Sequence, residues 1–98
     1  MELIERVAYF EKALNELCAA ALELDAALER FSSAQAAARE LGEYYFGGQW
    51  LADFGADGRG ELPPDLPRGV LSEDGVYTAL EENRELLRRM AALSRETV

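Results

Sequence analysis

The 98-residue sequence contains no histidine, so Ser-His and Cys-His nucleophilic catalysis and any histidine-ligated metal are excluded from the start. There is one cysteine, Cys18, which cannot form an internal disulfide and fits a reducing compartment. Basic residues are few. The formal net charge of −9 argues against nucleic acid, where affinity comes from Lys and Arg on phosphates, and against anionic lipid. Long apolar runs are also missing: the longest, Cys18–Leu22, falls far short of a membrane span. The first residues lack a basic stretch leading into an apolar one, so no secretory signal is expected and a cytoplasmic location is predicted. Glycine and proline are absent from residues 1–41 and 76–98, and every one of them falls between Gly42 and Gly75. Irregular chain draws on both residues for special φ angles, so two long helical runs flanking an irregular middle are predicted.

The first run carries the most regular pattern. Leu3, Val7, Phe10, Leu14, Leu17, Ala21, Leu24, Leu28 and Phe31 follow one another at steps of four and three. That is an a/d heptad seam of the coiled-coil kind. Ala13, Ala20 and Ala27 lie along one edge of it, where small side chains let a partner helix come close. Ser32-Ser33 predicts a break, with Ser32 and Gln35 spaced as a capping box. A second helix over Ala34–Tyr45 would then fold back antiparallel to the first. One uninterrupted helix is the alternative, because serine is only weakly unfavourable inside a helix.

Gly47-Gly48 should end that helix. A short helical turn at Trp50–Phe54, a mobile Gly55–Gly60 stretch and an extended Leu62–Pro67 segment are expected after it. Ser72 is an N-cap candidate for the last helix, with Glu73 and Asp74 at its positive end. The predicted fold is therefore all-α, one domain over residues 1–98. It has a long N-terminal helix, a shorter antiparallel second helix, a connector rich in aromatics, Pro and Gly, and a C-terminal helix.

Five aromatics, Tyr44, Tyr45, Phe46, Trp50 and Phe54, crowd the front of the connector. They are read as a cap on the helical core, with Trp50 largely buried, in preference to a ligand pocket. Arg68 is expected to clamp bidentately onto Asp53, Asp57 or Asp74. Asp53, Asp57 and Glu61 have partial EF-hand spacing, but Gly55 and Pro64 stand where calcium needs ligands. The many neighbouring carboxylates on the helices read as solvated faces.

Gln49-Trp50-Leu51, Asp53-Phe54, Leu62-Pro63, Asp65-Leu66, the run Arg68–Asp74 and Leu80-Glu81-Glu82-Asn83 together resemble a bacterial family known as domain of unknown function 4298. The resemblance extends over nearly the whole chain and is most specific over Gln49–Asn83. It implies a small helical bacterial protein and carries no activity, cofactor or catalytic residue. The residues themselves favour a non-enzymatic interaction or scaffold protein, a homodimer through the first helix with a further protein partner still to be identified. No cofactor, nucleic acid or membrane is expected. The candidate interaction or structural residues are Leu3, Val7, Phe10, Leu14, Trp50, Asp53 and Arg68. The alternative is a small-molecule or metal-binding protein with its site in the 45–68 connector.

Overall fold

The computed structural model describes residues 1–96. The chain is all-α: α1 spans Leu3–Phe46, α2 Gln49–Gly58 and α3 Gly75–Glu96, with a 3-10 turn at Gly69–Leu71. A long first helix, a short second, an irregular connector and a C-terminal helix are the expected elements. The boundaries differ in instructive ways. The chain divides into two compact units, one over Met1–Gln35 and one from Ala36 onward.

The first unit is helix throughout. Its start is held by Glu2, whose carboxylate accepts the Glu5 backbone N–H at 2.8 Å and satisfies a donor the helix cannot pair internally. The predicted break at Ser32-Ser33 does not occur; α1 runs through both serines to Phe46. Residues 34–45 thus belong to α1 and do not form a separate antiparallel helix. The Gln35 side chain, offered as half of a capping box, instead donates to the Phe31 carbonyl at 3.1 Å, inside the continuing helix. Two serines cost a helix only fractions of a kcal/mol each, and the alanine-rich sequence on both sides outweighs them.

In the second unit α1 ends at Phe46, and Gly48 takes a left-handed φ of 96° that turns the chain into α2. The short turn expected at Trp50–Phe54 is a longer helix that carries on through Gly55 to Gly58. It stops in a Schellman motif. The Gly60 N–H bonds to the Asp57 carbonyl at 3.0 Å and the Glu61 N–H to the Ala56 carbonyl at 3.1 Å, with Gly60 at φ 75°. The glycines read as mobile are therefore helix and helix cap. The segment Leu62–Pro67 is likewise not extended: Leu66 N–H closes on the Pro63 carbonyl at 3.2 Å around Pro64-Asp65. A proline at the second position of a turn is favoured there.

Ser72 does not cap α3. Its hydroxyl donates to the Gly69 carbonyl at 2.8 Å and so closes the 3-10 turn, and α3 begins three residues later at Gly75. That placement puts Leu71, on the turn, and Val76, in the first turn of α3, at the centre of the second unit. Among the described residues they are the buried apolar pair. A small hollow lined by Leu41, Gly69, Val70, Gly75, Val76 and Ala79 shows how thin this core is. No helix among the described residues is long and apolar enough to cross a membrane.

Candidate functional site

The candidate residues fall into two groups. Leu3, Val7, Phe10 and Leu14 stand on α1 in the first unit, and Trp50, Asp53 and Arg68 stand in the second. On α1 the heptad spacing places the seam side chains on one face. Leu3, Val7, Phe10, Leu14, Leu17 and Leu24 are each more than half exposed. Phe10 packs edge-on against Tyr9, its neighbour in sequence, with ring centroids 5.1 Å apart. A contiguous apolar stripe of this size in water is a feature that free monomers rarely keep.

In the second unit Trp50 is half-buried, less than the sequence predicts. Its ring stacks on Phe54, one helical turn along, at 5.0 Å and 18°, and lies 5.0 Å from Tyr45. Its indole N–H donates to the Val70 carbonyl at 2.7 Å, tying α2 to the 3-10 turn. Trp50 thus fastens the connector.

The cleft beside it is formed by Tyr44, Asp53, Leu62, Leu66, Arg68 and Leu71, with a volume of about 320 Å³. That volume lies at the small end for ligand sites. Its polar groups, however, are already engaged. Asp53 accepts from the Tyr44 hydroxyl at 2.7 Å and from the Gln49 side-chain amide at 3.0 Å. Arg68 reaches Asp57, one of the three carboxylates predicted for it, at 2.7 Å. The contact is single and not the expected fork, because the second guanidinium nitrogen turns to the Pro64 carbonyl at 3.4 Å. Glu61 pairs with Arg59. All three carboxylates of the partial calcium-loop spacing are therefore engaged elsewhere, two of them on a helix. Among the described residues no group of three or more carboxylates and thiols is placed to hold a metal ion.

Tyr44 and Gln49 are not among the candidate residues that the sequence offers. Gln49 and Asp53 are four apart on α2, a spacing that signals contact once the helix is known. Nothing in the sequence pairs Tyr44 with Asp53 across the Gly47-Gly48 turn.

The Tyr44–Asp53 bond moves the titration of both groups away from neutral pH. The hydrogen bond to Asp53, then burial, then the nearby negative charge push the Tyr44 phenol up to about 12. The bonds from Tyr44 and then Gln49 hold the Asp53 carboxyl below its ordinary value. Proton-transfer chemistry wants groups tuned toward the working pH, and these are tuned away from it.

The resulting pH dependence has a definite sign. The Asp53 contribution to stability is present above the ordinary carboxyl value and is lost as pH falls through its lowered folded value. The Tyr44 contribution is present below the ordinary phenol value and is lost as pH rises through about 12. Tyr44→Phe should abolish a phenolate forming near 12 in ultraviolet titration and flatten the acid limb of the stability curve. Loss of a phenolate forming near the ordinary value of 10 instead would show that the bond does not persist in solution.

With this geometry in hand, a family model described as Domain of unknown function (DUF4298) matches residues 7–93, so the match spans both units. No curated protein matches the chain, and neither does any solved structure.

Proposed function

The chain belongs to the DUF4298 family, a domain of unknown function, and on that premise we propose that it is a non-enzymatic protein-interaction module that pairs with a second copy of itself through the seam of α1. The observation that carries this reading is the exposed seam, with Leu3, Val7, Phe10 and Leu14 all open to solvent. Burying a large apolar side chain is worth about 1.5–3 kcal/mol, and a seam of this length offers many such terms. A single copy leaves them unused. Its buried apolar core among the described residues is Leu71 and Val76, little for a chain of this size.

A two-fold pair is the economical solution, because one self-complementary stripe is covered twice. The negative charge of the chain is spread along it and opposes association only weakly, since physiological salt screens exposed charges beyond about 8 Å. A cytoplasmic setting fits the exposed free thiol of Cys18. A small-molecule site in the 45–68 connector is the lesser reading, because Asp53 and Arg68 are already paired. A scaffold role with a further protein partner is compatible with the pair and adds to it.

The test is sedimentation of the unmodified protein across a concentration series. A dimer at micromolar concentration is expected. A monomer persisting to high concentration would overturn the proposal.

A further inference from the structure

We infer that the two copies pair antiparallel along α1, in the one register that seats Phe10 of each copy against Ala21 of the other; this rests on reading the α1 seam as the self-association face. The seam is not uniform. Eight of its positions carry Leu, Val or Phe and one, Ala21, carries a methyl group. In an antiparallel pair, a positions face d positions. Val7, Leu14, Ala21 and Leu28 are the a residues, and Leu3, Phe10, Leu17, Leu24 and Phe31 the d residues. One register sets Leu3 on Leu28, Val7 on Leu24, Phe10 on Ala21 and Leu14 on Leu17, each twice by symmetry. The largest side chain then fills the space beside the smallest, the alternation that packed interfaces use.

The competing arrangements are poorer. A parallel pair in register sets every residue against itself, so Ala21 faces Ala21 and leaves a void while Phe10 crowds Phe10. Its one advantage is an ion pair from Arg6 to Glu11 of the other chain, formed twice. Exposed pairs of this kind are worth at most about fivefold each in an equilibrium constant. Holes left by missing side chains in a packed layer cost at least about thirtyfold. Packing therefore decides. The antiparallel register one heptad along puts Glu11 against Asp25 of the other chain, twice, and sets Phe10 on Leu28.

In the preferred register the flanking edge brings Ala13 against Ala20 and Arg6 against Ala27, so the backbones approach closely and no like charges meet. The exposed seam side chains make the covered surface roughly 800 Å² per copy, the size of a specific stable interface.

Leu14 and Leu17 sit at the centre of this arrangement and give the test. In a Cys18→Ala background, Leu14→Cys and Leu17→Cys chains are prepared separately, refolded reduced, checked for dimer by sedimentation, then oxidised mildly alone and mixed. The antiparallel register brings position 14 of one copy to position 17 of the other and keeps like positions beyond the span of a disulfide. The mixture should therefore yield about tenfold more covalent dimer than either chain alone. Equal cross-linking of each chain by itself would establish the parallel pair and overturn the inference. Dimers in sedimentation that cross-link in no combination would overturn the register and leave self-association standing. A monomeric Cys18→Ala parent would instead overturn the self-association on which the inference rests.

Discussion

Replacing Val7 with glutamate should turn the proposed dimer into a monomer while leaving the helix in place. Val7 is 58% exposed in one copy and lies on the seam proposed to be covered by the second. The change acts twice in a symmetric pair. Each site loses about 1.5 kcal/mol of apolar burial and would have to desolvate a carboxylate as well. The two sites together remove at least about 4 kcal/mol, a dissociation constant raised roughly a thousandfold. Phe10→Glu should do at least as much, since a larger side chain is lost. Glutamate is a good helix former, so circular dichroism of either variant should keep most of the wild-type signal. A dissociation constant within about tenfold of the wild type would remove α1 from the interface.

The second large effect is expected in the second unit. Trp50→Ala deletes the ring stacked on Phe54 and Tyr45 and leaves the Val70 carbonyl without its 2.7 Å donor. Because the ring is half-buried, the cost should fall at or below the low end for large aromatics, about 2–3 kcal/mol in chemical denaturation. Trp50→Phe should recover most of the stacking but not the hydrogen bond, and so lie between the two. A loss under about 1 kcal/mol in the alanine variant would mean that α2 is held to the 3-10 turn by something other than this contact.

The architecture was legible because its signals are long. Heptad spacing from Leu3 to Phe31, helical runs free of Gly and Pro, and the Gly47-Gly48 stop each extend over enough residues to outvote local noise. What misled were short polar signals with two structural uses. Ser32-Ser33 can cap a helix or sit within one, and the alanines beside it decided for the latter. Ser72 can cap the helix after it or close the turn before it, and the 3-10 turn claimed its hydroxyl. Gly55, Gly58 and Gly60 resembled a loop by composition, yet Gly60 alone does the terminating, by its left-handed φ, and the other two ride inside α2.

The cleft was half legible. A carboxylate partner for Arg68 was expected, because a constrained guanidinium rarely goes unpaired. In the fold Arg68 meets Asp57, while Tyr44 and Gln49 occupy Asp53. That is a contest between partners, settled by three-dimensional position. No spacing rule on a single chain encodes it.

The placement of Trp50 has a practical bearing on how unfolding is observed. It is the only tryptophan, and it stands in the second unit with its indole stacked and hydrogen-bonded. Emission from that indole registers events at the α2 and 3-10 turn contact. Far-ultraviolet ellipticity is weighted instead toward the 44 residues of α1. Two intrinsic signals thus address two parts of the chain without any label. Superposition of their melting curves would demonstrate a single cooperative transition, and separation would count out the steps.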